Sequence, residues 1–570
     1  MMIPRPRRLR TILVSGAIVA MCGAVAWGIW LRWFGHATAR PFAEWQGEKA
    51  GPDAASTALE SRIHAFCGDC HAMPRPESFP RDAWHVEVEK AYRKYEDSGR
   101  VDLDPPPMGQ TIEFYRSHAP EAISYPEPRE ADAPLRASFH PERLDLGPDQ
   151  QANAAIAGLC WTSLGSGQGT SVASGPAKGD NATARDPRIH GSKQPPVLLA
   201  SDMFSGRVIA VDLGSPQRTT RLLAQLNNPC HIEPCDLDGD GATDLVVADL
   251  GSYDVRDHDL GRVVWLRQDG RTGRFDEIVL ASGLGRVADA RPIALDASGT
   301  VGLVVAEFGW YRTGGILLLT NMAPPGQPPR FESQVLDPRT GAIHVPVCDL
   351  DRDGRLDFLA LVSNESECVE AFLHQGNGRF HRQTLWRAPD LAFGSSGIEL
   401  VDLDGDGDLD ILYTNGDSFD NMYVTPWHGI QWLENQGPVQ FKYHRLADMS
   451  GACVARAGDF DGDGDLDILV VAFLPRNLKP DWLGERQLPS IVLLEQTSPG
   501  NFAPHILERG FACHAAAVIG DFNHDGRLDF AVGNHAGGHR ASDVRRTWLT
   551  VWWNQGCGEP ARPIRPSGPR

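Results

Sequence analysis

Five short stretches of the sequence place acidic side chains at the spacing of a cation-binding loop. Each has Asp or Asn at positions 1, 3, 5 and 9 and glycine at position 6, and a short apolar run follows directly. Ca²⁺ takes about six to eight oxygen ligands, and glycine permits the tight turn between them. The sequence therefore predicts about five calcium sites, with the ligands Asp236, Asp238, Asp240 and Asp244; Asp349, Asp351, Asp353 and Asp357; Asp402, Asp404, Asp406 and Asp410; Asp459, Asp461, Asp463 and Asp467; and Asp521, Asn523, Asp525 and Asp529.

An EF-hand is the obvious alternative for such loops, but two features argue against it. Position 12 holds no Glu in any of them, because the residues there are Val247, Ala360, Tyr413, Val470 and Val532. The flanking segments are short apolar runs, which are typical of buried strands rather than helices. The loops are therefore predicted to join one strand to the next.

The spacing of the loops predicts the architecture. They begin at 236, 349, 402, 459 and 521, and the first step of 113 residues is about twice each of the others. A degenerate copy fits midway, at 295–306. A seventh unit lies upstream, at 155–211, with a Gly/Ser/Ala-rich insertion at about 164–194 in place of its loop. A repeat of about fifty residues with several strands is typical of a β-propeller blade, so we expect seven blades.

These acidic loops between apolar strands resemble the FG-GAP/VCBS repeats of integrin-α-type β-propellers. The resemblance covers roughly residues 150 to 556. It implies calcium in the loop between the first and second strands of a blade. The sequence departs from the family pattern in two of the seven units, where we expect no metal.

The acidity of the chain belongs to these loops rather than to a surface for a cationic partner. The formal net charge is −20, from 74 acidic and 54 basic residues. The five loops hold 21 Asp, and without them 53 acidic residues face 54 basic ones. No basic stripe follows the chain, so a nucleic-acid partner is not expected.

A second motif with its own chemistry lies near the N-terminus, at Cys67, Cys70 and His71. The spacing Cys-x-x-Cys-His is typical of covalent haem c attachment, in which both thiols form thioethers and the histidine binds the iron. A structural disulfide or a thioredoxin-type redox pair are the alternatives. The segment before the motif is predicted to be a helix, whereas a thioredoxin-type pair follows a strand.

The segment 58–122 resembles a small class I-like cytochrome c domain with one haem. The resemblance implies a distant methionine as the sixth iron ligand, a ligand that raises the potential. Met108 is the predicted residue, and His85 is the alternative. Whether the haem is six-coordinate stays open.

The N-terminus is predicted to cross a membrane. Basic residues between Arg5 and Arg10 precede an apolar run at about 11–34, which fits a single span with a cytoplasmic N-terminus. A cleaved signal peptide is the alternative, since Ala37 and Ala39 form a fair cleavage site. Either way the bulk of the chain is expected in the periplasm or outside the cell. The predicted division is 1–36 anchor, 37–57 tether, 58–122 cytochrome c-like domain, 123–150 linker, 151–556 propeller and 557–570 disordered tail.

The fold class predicted for the chain is thus an all-β seven-bladed propeller with a small all-α domain and a membrane helix. In a propeller, the starts of the first strands and the loops after the second strands meet on the rim opposite the calcium loops. Aromatic, His and Arg side chains there suit a polar ligand. The predicted ligand rim is His231, His344, Trp310, Arg312, Trp427, His428, His514 and His535. Alternatively, the Trp side chains pad blade interfaces and the His side chains hydrogen-bond to backbone.

The favoured function is electron transfer by a membrane-anchored cytochrome whose propeller docks a redox partner or a saccharide or protein ligand. A sugar or polysaccharide oxidoreductase or lyase is one alternative, and an integrin-like adhesion module is another. The sequence contains no nucleophile motif, phosphate loop or zinc spacing. No catalytic group is therefore assigned.

Overall fold

The computed structural model describes residues 54–69, 72–97, 99–145, 154–165, 195–296, 300–310, 312–324, 327, 329–364, 366–537 and 547–556. The predicted anchor, most of the tether, Cys70, His71 and the tail 557–570 lie outside the described residues. Within the described part of the chain, no helix is long and apolar enough to cross a membrane. The predicted span at 11–34 is not among those residues.

Three helices form the N-terminal part of the structure, which we call the helical segment (54–118). They are α1 (Ala54–Cys67), α2 (Trp84–Asp97) and α3 (Met108–His118), with a 3₁₀ turn at Pro76–Ser78. The three prolines before α3 are compatible with its start but not with a helix interior. Trp84 of α2 stacks on Tyr115 of α3 with ring centroids 4.0 Å apart, and both are buried. This aromatic pair forms the core that joins α2 to α3.

Seven antiparallel sheets follow and form a seven-bladed β-propeller. Blades 1 to 4 contain β2 (Ile156–Thr162), β3 (Val197–Asp202), β4 (Arg207–Val211) and β5 (Thr220–Gln225); β6 (Pro229–Cys235), β7 (Asp244–Asp249), β8 (Gly261–Gln268) and β9 (Phe275–Leu284); β10 (Val287–Ala294), β11 (Val301–Glu307), β12 (Gly315–Asn321) and β13 (Phe331–Asp337); and β14 (Ala342–His344), β15 (Val347–Cys348), β16 (Asp357–Val362), β17 (Cys368–His374) and β18 (Phe380–Arg387).

Blades 5 to 7 continue in the same order. They contain β19 (Ser395–Val401), β20 (Asp410–Asn415), β21 (Gly429–Asn435) and β22 (Phe441–Asp448); β23 (Ala452–Gly458), β24 (Asp467–Ala472), β25 (Pro489–Ser498) and β26 (Asn501–Arg509); and β27 (His514–Gly520), β28 (Asp529–Asn534) and β29 (Thr547–Asn554). A 3₁₀ turn at Leu391–Phe393 precedes blade 5, and α4 (Asp481–Gly484) precedes β25. The predicted number of blades is confirmed.

The first described strand, β1 (Phe139–Asp145), completes the last blade. It pairs antiparallel with β29, so hydrogen bonds between the two ends of the propeller close the ring. This strand lies inside the stretch 123–150 that the sequence assigned to a linker, so the propeller begins at 139. Pro141 and the charged residues of β1 are compatible with an outermost strand, where proline is tolerated. Because these residues interrupt any apolar run, the sequence gave no sign of a strand here.

The second strand of each blade accounts for the apolar runs in the sequence. All six residues of β7, β16, β20, β24 and β28 are buried, because neighbouring blades cover both faces of these sheets. The outer strands are mostly exposed, as in β5 and β13. The core of the propeller therefore lies between adjacent blades rather than inside any one of them.

The helical segment packs against blades 4 to 6. Ser78 Oγ and the backbone N–H of Arg75 both donate to Asp390 Oδ2, at 2.7 and 2.9 Å. The ring of Phe79 contacts Tyr423 edge-on, with centroids 5.6 Å apart. Burial raises the pKa of the Asp390 carboxyl. Asp390 therefore connects the two parts of the chain at a buried position.

Candidate functional site

All five acidic loops join the first strand of a blade to the second, as predicted. They connect β6 to β7, β15 to β16, β19 to β20, β23 to β24 and β27 to β28. The glycine at position 6 has φ between +84° and +98° in each loop, a conformation that favours glycine. Since equivalent turns of a propeller share one rim, the loops lie on the same side of the ring.

Backbone hydrogen bonds hold the carboxylates of each loop in place. In the loop 402–410, Asp402 Oδ2 accepts from Gly407 N at 2.9 Å. Asp410 Oδ2 accepts from Leu403 N at 3.0 Å, and its Oδ1 accepts from Asn435 N at 2.7 Å. The same three bonds recur in the other four loops. The position-9 carboxylate therefore links position 2 of its loop to the third strand of the blade.

The remaining carboxylate oxygens fit a hard cation. Oδ1 of Asp236, Asp349 and Asp402, all at position 1, is buried and has no hydrogen-bond partner among the described residues. A buried oxygen without a partner is costly unless a ligand satisfies it. In four loops, one ligand oxygen from each of three acidic residues lies within 4.8 Å of the others. Ca²⁺ prefers an all-oxygen donor set of this kind.

The position-9 carboxyls show how unfavourable this arrangement is without a cation. Burial is the main cause that raises the pKa of Asp410 to about 7 and that of Asp467 to about 8. The last loop is the least acidic of the five, because Asn523 replaces Asp at position 3 and its amide donates to Asp525 Oδ2 at 3.0 Å.

The two remaining units lack the acidic set in their sequence. In blade 3, Thr300 N donates to Asp296 Oδ1 at 3.1 Å, and Leu295 N donates to Thr300 O at 2.8 Å. Asp296 is the one acidic residue between β10 and β11. In blade 1, the insertion lies between β2 and β3, and residues 166–194 are outside the described part of the chain.

A cavity of about 620 Å³, the axial cavity, lies at the centre of the ring. First strands from all seven blades line it: β2, β6, β10, β14, β19, β23 and β27. The loops after the second strands line it too, through residues such as Asp254, Trp310 and Asp420. It therefore opens at the rim opposite the acidic loops, where the sequence placed the ligand rim. Lys90, Arg93 and Lys94 of α2 also border it.

A β-bulge decides which side chains reach the axial cavity. The register of the first strand shifts near its start in all seven blades. Bulges re-aim the side chains that follow them. The first residues after the bulge are Gly158, His231, Asp289, His344, Gly397, Val454 and Ala516. The polar members of this ring lie on three consecutive blades, 2 to 4.

Four of the eight predicted rim residues line the axial cavity: His231, Trp310, His344 and His535. Arg312, Trp427, His428 and His514 are not among its lining residues. His514 lies before the bulge, and its ring contacts Asn534 Oδ1 at 2.8 Å and Glu508 Oε2 at 2.7 Å. His428 is buried, which lowers its pKa to about 3. Trp427 Nε1 donates to Ala392 O at 3.3 Å.

A fully buried carboxylate organises the polar wall of blades 2 to 4. Asp289 Oδ1 lies 3.2 Å from His231 Nε2, and its Oδ2 lies 3.0 Å from Arg291 Nε and 3.9 Å from His344 Nδ1. Burial alone would raise the pKa of Asp289, but Arg291, His231 and His344 outweigh it and the pKa is lowered. Burial lowers the pKa of His344, which favours its neutral form.

Sequence reasoning missed Asp289 and Arg291, although β10 carried a signal. Charged residues alternate with small or apolar ones in Val287-Ala-Asp-Ala-Arg291. Alternate residues of a strand share one face, so both charges point the same way. On the innermost strand of a propeller such a face can line the channel, as Arg291 does. His231 and Glu233 alternate in the same manner on β6.

A smaller cavity of about 200 Å³ lies beside Cys67, and we call it the Cys67 cavity. Aromatic side chains of the helical segment line it, including Trp84, Tyr92 and Tyr115, together with residues of blades 4 and 5. Burial raises the pKa of the Cys67 thiol to about 11. This ring-lined cavity therefore lies next to one cysteine of the Cys-x-x-Cys-His motif. Lys90, Lys94, Asp417 and Asp420 line both cavities.

The two methionines near the motif differ in their surroundings. Met108 is the first residue of α3 and is 41% exposed. Met73 packs against the core of the helical segment, and Tyr115 Oη lies 3.4 Å from its Sδ. His85 is on the exposed side of α2, beside Glu89. Because Cys70 and His71 are outside the described residues, the predicted iron ligands stay predictions.

Comparison with known proteins adds one sequence match. The FG-GAP-like repeat matches residues 332–413, which run from β13 through two acidic loops to β20. No curated protein matches the chain. Among solved structures, the crystal structure of Saccharomyces cerevisiae Sqt1 is similar at 12% identity and a TM-score of 0.39, over 75% of this chain and 99% of that one. At this TM-score the similarity says nothing about function. The chain therefore contains an FG-GAP-like repeat within a seven-bladed propeller.

Proposed function

We propose that this protein is a c-type cytochrome fused to a calcium-stabilised propeller, and that electrons pass between a ligand or partner at the axial cavity and a haem in the Cys67 cavity. The observation that carries the proposal is that the two cavities share lining residues. Lys90 and Lys94 of α2 and Asp417 and Asp420 of blade 5 border both. An electron donor in one cavity would therefore be a neighbour of an acceptor in the other.

The residues that would hold the two cofactors follow from the motifs. Cys67 and Cys70 would bind haem through thioethers, and His71 would bind its iron; the haem would supply a one-electron carrier. The five acidic loops would hold calcium on the far rim. Calcium would there stabilise the turns between first and second strands and would take no part in the reaction.

The chain's own residues would bind and orient the ligand. His231 and His344 face the axial cavity, and Asp289 fixes the His231 ring from behind at 3.2 Å. The buried helix-to-propeller contact at Asp390 would keep the distance between the cavities constant. The apolar N-terminal run would anchor the chain in the cytoplasmic membrane, with the bulk in the periplasm or outside the cell.

A second candidate is an oxidoreductase that removes electrons and protons from a sugar-like ligand. The His231–Asp289 pair favours it, because a histidine oriented by a carboxylate is a suitable proton acceptor in a cavity. In this candidate the haem, a one-electron carrier, would pass the two electrons released by the ligand one after the other to an external redox partner. Reduction of the haem by a candidate substrate, and its loss in a His231→Gln variant, would distinguish the enzyme from a carrier.

The experiment that tests the proposed function is an absorption spectrum of the purified exported protein, oxidised and then reduced with dithionite. We expect sharp reduced α and β bands and about one haem per chain in a pyridine haemochrome assay, since the motif occurs once. Cys67→Ser should remove the covalent haem. Cys453→Ser is the matched control, because Cys453 lies on β23 outside the motif and should leave the haem in place. Full-length protein without haem would refute the cytochrome assignment.

A further inference from the structure

Arg286 is a buried cation that has no anionic partner among the described residues. It directly precedes β10, is 7% exposed and lines the axial cavity. Its Nε is buried and has no hydrogen-bond partner among the described residues, and its guanidinium forms no ion pair with them. The guanidinium carbon lies 5.5 Å from the centre of the Phe308 ring. Arg291, another arginine that lines the cavity, is paired with Asp289 at 3.0 Å.

The charge of Arg286 is retained despite its burial. Burial is the main cause that lowers its pKa to about 10, while Cys230 and Asp254 act in the opposite direction. Asp254 lines the same cavity but makes no ion pair with Arg286. A buried guanidinium is strongly unfavourable unless an anion neutralises it. The described side chains do not supply that anion, and the guanidinium is therefore available to an anionic ligand in the cavity.

The wall around Arg286 suggests what else the ligand carries. Phe308 and Trp310 line the cavity on the same blade, and Tyr253 lines it from the neighbouring blade. Ring faces of this kind pack against apolar chains or sugar rings. The cavity volume of about 620 Å³ lies inside the usual range for organic ligands, about 300–1,000 Å³.

We propose that Arg286 binds the carboxylate of a small organic acid, whose body packs against Phe308 and Trp310 in the axial cavity. A guanidinium presents a planar pair of donors that matches a carboxylate. The inference names the ligand class of the proposed function and rests on its ligand site, not on the haem.

The test is a titration of the full-length, calcium-loaded protein with glucuronate, followed by calorimetry and by the fluorescence of the protein's tryptophans. Glucose is the neutral probe with the same ring, and acetate, benzoate and inorganic phosphate complete the set. We expect saturable binding of glucuronate at millimolar concentrations and none of glucose. Arg286→Gln should weaken binding about 10- to 100-fold, and Arg286→Lys less. Arg456→Gln is the control, because Arg456 lines the cavity from blade 6. It should change affinity by less than about threefold.

Each alternative outcome overturns the inference. Equal binding of glucose and glucuronate would show that the carboxylate of the ligand is not recognised. Unchanged affinity in Arg286→Gln would show that Arg286 does not bind it. Equal weakening of binding in the Arg456→Gln control would show that the affinity depends on the overall charge of the cavity and not on a contact with Arg286. Tighter binding of phosphate than of glucuronate would mean that the site takes a different anion. If glucuronate, acetate and benzoate all fail to bind, the proposal is refuted. Melting curves in calcium show whether each variant is folded. The haem spectrum tests the proposed function separately, so a failure of the carboxylate site can be told apart from a failure of the cytochrome assignment.

Discussion

Replacing Asp402 by Asn should have opposite effects on stability with and without calcium. Asp402 Oδ2 accepts from Gly407 N, a bond that the amide oxygen of Asn can keep. Its Oδ1 is buried without a partner among the described residues, and an amide N–H at that point can donate to a neighbouring carboxylate. Calcium would lose a charged ligand, whereas the metal-free loop would lose a repulsive charge. We therefore expect a lower melting temperature in calcium and an equal or higher one in chelator.

The distances in the loop give the magnitude. One oxygen each of Asp402, Asp404 and Asp410 lies within 4.8 Å of the others. Unit charges at that separation repel by about 3.5 kcal/mol per pair at an effective dielectric constant near 20. The substitution removes two of the three repulsions. Asp404 is exposed and salt screens it, so the relief is about 1–3 kcal/mol. Calcium at about a hundred times its dissociation constant stabilises the wild-type loop by about 2.7 kcal/mol.

The assay compares thermal melts of wild type and Asp402→Asn in excess calcium and in EGTA, above neutral pH so that Asp410 is ionised. Calcium titration by calorimetry should count one site fewer in the variant. Asp296→Asn is the matched control, because Asp296 lies in the turn of blade 3 that lacks the acidic set. It should shift the melting temperature equally in both buffers. The same shift in both buffers for Asp402→Asn would refute calcium at this loop.

Two further predictions concern buried carboxyls elsewhere. Asp390→Asn should weaken docking of the helical segment by about 1–3 kcal/mol, because the amide N–H₂ replaces an oxygen that accepts from backbone or from Ser78. Faster protease cleavage between 118 and 139 would report the weaker docking, and an unchanged cleavage rate would contradict the prediction. Burial raises the pKa of Glu367 to about 8 from 4.5. The folded state therefore keeps a proton that the unfolded state releases, and this stability is lost as pH rises from about 4.5 to about 8. Glu367→Gln should flatten that pH dependence in urea denaturation; an unchanged slope would exclude Glu367 as its source.

Repetition made most of the fold predictable. The glycine and carboxylate positions of the loops recur with every blade, and so do the apolar second strands that neighbouring blades bury. Five intact loops were enough to place two degenerate units between and before them. The outermost strand of the last blade escaped because it repeats nothing. Only Phe139 and Leu144 of this strand are buried apolar residues, and the Pro, His, Glu and Arg between them hide any apolar pattern.

The ligand rim was only half predictable, and for His514 the β-bulge is the reason. Counting back from the acidic loops places His231 and His344 five residues before the first Asp and His514 seven before it. Those two extra residues move His514 to the far side of the bulge, where its partner on the second strand is Asn534. A bulge leaves no clear mark in a single sequence, so side-chain direction beyond it is not readable from spacing. Arg286 is missed for a related reason, since its lack of a partner is a property of the assembled ring.

The ring of residues after the bulge makes the axial cavity asymmetric, and this bears on how a ligand would lie in it. Blades 2 to 4 contribute His231, Asp289 and His344, whereas the other four blades contribute small or aliphatic residues. At Gly397, for example, an added Cβ would lie 2.7 Å from a backbone oxygen of blade 6, so a larger residue does not fit. An acid anchored at Arg286 would place its body on Phe308 and Trp310 of blade 3. Asp417 and Asp420 of blade 5 border both the axial cavity and the Cys67 cavity. The proposed ligand site and the proposed haem site would thus be connected through blade 5.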